Sequence, residues 1–208
     1  MIDPAILNLF IPASLLLIIA PGPDILFVVA QGISSGRRAG FFTALGLAFG
    51  NSVHTLAAAL GVSLIFKTSV MAFTVFKIAG ALYLFYLAYK VIKHRKVLMK
   101  MSKQDSKPIH YLIAKGFIMN VLNPKVALFF LAFLPQFVAK NAGNPFGQIL
   151  ILGAIFIILV VIIFGAIGLT AGTFGQFLTR SRTANETLNW LCAFVFIGLG
   201  IKLVLSRA

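Results

Sequence analysis

Six long apolar runs set the fold of this chain. They cover residues 5–34, 41–66, 73–92, 111–139, 146–177 and 187–205. About 20 helical residues cross a hydrocarbon core of about 30 Å. Barrel strands would instead alternate polar and apolar residues over segments of about ten. These runs are continuous, so they read as helices. The chain has 208 residues, 60% hydrophobic and 11% charged, whereas a soluble domain averages about 25% charged. Its mean hydropathy is +1.02. The expected fold class is an all-α integral membrane protein with six transmembrane helices. No separate soluble domain fits in the remainder. Met1-Ile2-Asp3-Pro4 lacks the positive start of a signal peptide, so the first run is expected to remain as a span.

Two of these runs are interrupted. Pro21-Gly22-Pro23-Asp24 lies inside the first and Asn123-Pro124-Lys125 inside the fourth. Proline breaks a helix, and an ionised Asp or Lys at mid-membrane costs about 2.5–3.5 kcal/mol on insertion scales. Such groups persist where protein or water surrounds them. Interrupted segments at corresponding places in two halves of a chain are a sequence pointer to a transporter's binding site.

Basic residues give the orientation. Arg37 and Arg38 follow the first span. Lys93, Arg95, Lys96, Lys100, Lys103 and Lys107 lie between the third and fourth, and Arg180 and Arg182 follow the fifth. The alternate loops hold only Lys67 and Lys140. The positive-inside rule puts the first set in the cytoplasm and both termini outside. Lys202 and Arg207 weakly oppose this. Several crossings of the membrane are expected. The polar stretch 93–110 divides the chain into halves, 1–92 and 111–208, of three spans each. Gly80 to Lys90 can be laid on Cys192 to Lys202, and Pro23-Asp24 on Pro124-Lys125. An odd number of spans per half makes such repeats inverted. The architecture expected is therefore two inverted three-helix repeats with broken helices one and four.

The net charge of +14 comes from 18 Lys and Arg against four acids. The basic residues lie in loops and at span ends, with no aromatic-interleaved surface. They fit anionic lipid at the cytoplasmic face rather than nucleic acid. Cys192 is the only cysteine, so no internal disulfide or redox pair exists. No metal-ligand or nucleophile motif appears, and no phosphate-binding Gly-rich loop with Lys. Neither an enzyme nor a cofactor is expected. Transport would be secondary, driven by protons or another gradient.

The chain resembles the LysE-type amino-acid exporters, the lysine exporter and homoserine/threonine resistance family, over nearly its whole length. The resemblance rests on Ala20-Pro21-Gly22-Pro23 with Asp24, on Gly46, Gly50 and Gly61, and on Lys77 with Gly80-Ala81. It continues through Asn123-Pro124-Lys125, Pro135-Gln136-Phe137 and Gly198-Leu199-Gly200. It implies export of amino acids or close derivatives. A small-solute or ion channel of the same architecture is the alternative.

The candidate site residues follow from the breaks. Pro23 is suited to start a second half-helix, with Asp24 in its first turn, where the helix dipole favours an anion. Asp24 is a ligand for a substrate ammonium, a proton carrier, or an acid that steadies the kink. Pro124 would place Lys125 at a helix start, where the dipole disfavours a cation. A nearby anion relieves that conflict, either Asp24 or a substrate carboxylate. Pro21, Gly22, Pro23, Asn123 and Pro124 would shape the substrate-binding site, with Asn51 beside it, and Asn120 and Asn123 either contact substrate or satisfy backbone groups that the break frees. Asn51 and His54, three apart, share a helix face. His54 titrates near neutrality when unperturbed, so it is a candidate for proton coupling alongside Asp24, or a packing residue. Lys77 suits snorkelling, and Tyr83, Tyr86 and Tyr89 suit packing or an interface. The Gly46-to-Gly50 and Gly168-to-Gly172 spacings allow close helix contact, within one chain or in a homodimer.

Overall fold

The computed structural model describes residues 4–20, 22–68, 70–93, 107–138, 144–171 and 182–205, and every regular element among them is helical. The first broken helix consists of α1 (Pro4–Ile19) and α2 (Pro23–Ser34). Two unbroken helices follow, α3 (Arg37–Thr68) and α4 (Val70–Lys93). The second broken helix is α5 (Ile109–Val121) with α6 (Pro124–Ala132), extended by a 3-10 turn, Leu134–Phe137. The last helices are α7 (Pro145–Leu169) and α8 (Arg182–Leu205).

Both breaks have one cause. Pro23 and Pro124 each start a helix, where a missing N–H costs nothing and the fixed φ is helical. The residue before a proline is pushed out of the helical region. Gly22 (φ −169°, ψ 177°) and Asn123 (φ −78°, ψ 107°) are accordingly extended. Each pair of half-helices bends by 56°. Arg37–Gly61 and Pro145–Leu169 are long and apolar enough to span a membrane singly. Counting each bent pair as one span brings the number among the described residues to four. The helices α4 and α8 have 24 residues each. The chain is an integral membrane protein built of helices.

The long helix α3 is the hub. It packs against α7 and α5 and touches both α2 and α6, while α4 packs against α8. Small residues permit this closeness. A Cβ on Gly40 would lie 2.7 Å from the carbonyl oxygen of Gly168, and one on Gly116 2.5 Å from that of Thr43. A Cβ on Gly46 would overlap the Ile113 carbonyl. Gly40, Gly46 and Gly50 of α3 thus serve contacts inside the chain, as does Gly168; Gly172 lies outside the described residues. The fifth apolar run, read as 146–177, is helical over Pro145–Leu169, and 172–181 lie outside the described residues.

Candidate functional site at the two helix breaks

The two breaks meet in the core. Asp24, in the first turn of α2, is buried at 7% exposure. Its Oδ1 accepts from Asn123 Nδ2 and its Oδ2 from Asn120 Nδ2, both at 2.8 Å. Each carboxylate oxygen is therefore held by an amide from the other broken helix. Asn123 does two jobs. Its Oδ1 accepts from the backbone N–H of Lys125 at 3.0 Å, capping α6, while its amide nitrogen reaches Asp24.

Lys125 reaches the opposite way. Its Nζ donates to the carbonyl of Ala20 at 3.0 Å and to that of Leu17 at 3.3 Å. These carbonyls close the C-terminal end of α1, the negative end of its dipole. The cation disfavoured by its own helix start is steadied by the end of another helix. Gly22 makes room for it. A Cβ there would meet Lys125 Nζ at 3.2 Å, and the Gly22 backbone is extended, so closeness rather than strain is what a side chain would disturb.

The α3 residues complete one wall. Asn51 is buried and donates from Nδ2 to the carbonyl of Leu47 at 2.9 Å. Its Oδ1 has no hydrogen-bond partner, and neither has Asn120 Oδ1. His54 Nε2 donates to the backbone carbonyl of Asn120 at 3.1 Å, and its ring lies 5.8 Å from that of Phe130. Gly50 lets α5 approach: a Cβ there would meet Asn120 Oδ1 at 2.6 Å.

These groups surround a small cavity of about 30 Å³, roughly the volume of one water. Asp24, Asn51, Asn120, Asn123 and Lys125 supply its polar side, and Leu17, Ile25, Val126, Phe156, Val160 and Phe164 its apolar side. Six phenylalanines pack near this core: Phe10, Phe129, Phe130, Phe133, Phe137 and Phe156. Phe129 and Phe133 stack at 4.4 Å, Phe133 meets Phe137 edge-on at 4.6 Å, and Phe10 from α1 closes on Phe137 at 5.2 Å. The layer has a signature in the sequence, since Phe129, Phe133 and Phe137 recur every four residues, the spacing of one helix face.

Most of the expected site residues come together here. Asp24, Gly22, Asn51, Asn120, Asn123 and Lys125 line the cavity, and His54 touches it through Asn120. Pro23 and Pro124 are exposed and set the breaks from outside. Pro21 lies outside the described residues, as does the side chain of Lys77. The tyrosines of α4 lie elsewhere. Tyr86 and Tyr89 are exposed, with Lys90 and Lys93 over their rings at 5.8 and 5.3 Å.

Two broken helices that meet around buried polar groups within a helical membrane protein are a recurring feature of membrane transporters. The sequence comparisons narrow the class. Residues 15–207 match the model of the LysE type translocator family, and the chain belongs to that family. An uncharacterized membrane protein, YrhP of Bacillus subtilis, is 31% identical over 206 residues, covering 95% of this chain and 97% of the relative. An uncharacterized membrane protein of Pseudomonas aeruginosa, PA4757, is 32% identical over 89% of this chain and 88% of its own. A leucine efflux protein of Klebsiella pneumoniae is 28% identical over 93% of this chain and 92% of its own. No solved structure matches the chain.

Proposed function

We propose that this protein is a secondary exporter of amino acids or close derivatives, working by proton- or gradient-coupled antiport. The observation that carries the reading is that Asp24, clamped by two amides, and Lys125, held by the α1 carbonyls, line one cavity at the helix breaks. An amino acid presents one ammonium and one carboxylate. Asp24 and the unpartnered Oδ1 atoms of Asn51 and Asn120 suit the ammonium. Lys125 and the N-termini of α2 and α6 suit the carboxylate. The apolar side of the cavity, with Phe156, Val160 and Phe164, favours a neutral apolar side chain. The family membership and the relatives named for leucine efflux support the same substrate class.

Transport then follows an alternating-access scheme of six spans in two inverted repeats, 1–92 and 111–208, joined by the basic linker 93–110. The packing supports this scheme. Exchanging the halves turns the contact of α3 with α5 into that of α7 with α1, and the contact of α3 with α6 into that of α7 with α2; all four contacts occur. The two breaks also bend by the same 56°. The basic linker and Arg37 face the cytoplasm in this scheme, with both termini outside.

The test is counterflow in proteoliposomes. Liposomes preloaded with unlabelled leucine should accumulate labelled leucine transiently, and excess leucine should compete while lysine competes weakly. A channel, the alternative architecture, would equilibrate the label without an overshoot. Equal handling of leucine and lysine would overturn the apolar-substrate part of the proposal.

A further inference from the structure

A second cavity, about 500 Å³, lies where the α2–α3 turn meets the start of α5. Ser35, Gly36, Arg37, Arg38 and Lys107 form its polar rim, and Phe42 and Leu112 belong to its apolar side. Gly36 has φ +93°, a conformation that only glycine adopts without strain, and so α3 begins at once with Arg37. Two helix N-termini therefore converge on the cavity, those of α3 and α5. Neither has an acid in its first turn, and α5 has no side-chain cap. Among the described residues, three cations and the first turns of two helices meet at this cavity, and no acid stands in its lining.

We propose that this cavity binds the phosphate of an anionic phospholipid. The ligand chemistry is a phosphodiester anion. It would be held by Arg37, Arg38 and Lys107 and by the backbone N–H groups at the start of α5. A free phosphate shares that chemistry, but the apolar side at Phe42 and Leu112 and the exposed Ile109 beside it suit an acyl chain as well as a headgroup. Its place at the basic end of the membrane helices suits a lipid of the same leaflet.

The full-length protein in detergent is titrated with dioleoyl phosphatidylglycerol, dioleoyl phosphatidylcholine or inorganic phosphate, and bound lipid is counted by native mass spectrometry. Wild type should retain phosphatidylglycerol in preference to phosphatidylcholine. An Arg37→Gln/Arg38→Gln double variant should lose about thirtyfold in phosphatidylglycerol affinity, the scale for two basic groups beside an anionic surface. A Lys90→Gln/Lys93→Gln variant removes the same charge from the end of α4 and should change affinity less than about threefold on that scale. Equal losses in both variants, or none in the arginine variant, overturn the proposal. If the arginine variant does not fold, Lys107→Gln carries the test: a loss of about fivefold supports the site, on the scale of one basic group, and unchanged affinity overturns it. Displacement of phosphatidylglycerol by millimolar inorganic phosphate would make the occupant a soluble anion and overturn the lipid assignment.

Discussion

Lys125 lies in the first turn of α6, yet its ammonium points back to the far end of another helix, donating to the carbonyl of Ala20 at 3.0 Å. Asp24 is held in turn by Asn120 and Asn123 from the opposite broken helix. The two charged groups thus bind each break to the other. Opening the core toward either side has to part some of these bonds, and a zwitterionic substrate offers groups that replace them.

Removing either charge should stop transport. Asp24→Asn leaves the amides of Asn120 and Asn123 facing an oxygen and a donor, so one of them loses its acceptor, at a cost of about 1–3 kcal/mol. Lys125→Met removes the donor to Ala20 and Leu17. Both variants should insert in the membrane and show leucine counterflow reduced by about a hundredfold or more, the scale of a lost charged contact of about 3 kcal/mol. The swapped double variant, Asp24→Lys with Lys125→Asp, should not recover. It would set an ammonium against two amide donors and a carboxylate against two carbonyls. Recovery of flux by the swap would show that the two charges act chiefly on each other.

The glycine contacts predict a graded effect on stability. Gly46→Ala forces a methyl into the Ile113 backbone, where nothing flexible can yield. Overpacking of this kind costs about 1–3 kcal/mol. Gly61→Ala meets nothing within 4 Å, and alanine is the better helix former by about 1 kcal/mol. Thermal unfolding in detergent should therefore place Gly46→Ala below wild type and Gly61→Ala level with it or above. A Gly46→Ala protein as stable as wild type would mean that α3 and α5 are not in close contact.

The breaks were legible in the sequence because proline acts locally. Pro23 and Pro124 fix where a helix begins, and Asp24 and Lys125 fall in its first turn by adjacency alone. The partners of those charges were not legible. Asp24 and Asn120 are 96 positions apart, and their meeting depends on how α3 sets the two broken helices side by side. The carbonyls of α1 that accept from Lys125 were not legible either, because a helix end carries no side-chain signature. Asn51 and His54 were rightly placed on one face by their spacing. The aromatic layer was passed over because phenylalanine in a membrane helix reads as lipid-facing until its neighbours are known.

That layer predicts a transport phenotype separate from binding. In the proposed orientation Phe10 and Phe137 lie between the cavity and the outside, so the stack closes the exit. Phe133 is fully buried between Phe129 and Phe137. Phe133→Ala should destabilise the protein by about 3–5 kcal/mol. Phe133→Leu keeps most of the volume and removes the ring stacking, at a cost of about 1.5 kcal/mol or less. The leucine variant should still bind substrate but leak, letting label run down its gradient without countertransport. Tight, coupled exchange in Phe133→Leu would show that the stack is core packing and no gate.

Proton coupling is the last prediction. His54 donates from Nε2 to the backbone of Asn120, whose side chain donates to Asp24. A titratable ring thus reaches the carboxylate through one residue at the end of α5. If that helix end shifts when the core opens, His54 exchanges its carbonyl partner for water, the exchange of partners that a proton carrier requires. Glutamine can keep the donor to the carbonyl but cannot titrate. His54→Gln should therefore spare leucine exchange at equilibrium and abolish accumulation driven by an imposed pH gradient. Both are measured in the same proteoliposomes, so a folding defect would lower the two together. Undiminished accumulation in His54→Gln would leave His54 as a packing residue and pass the coupling role to Asp24.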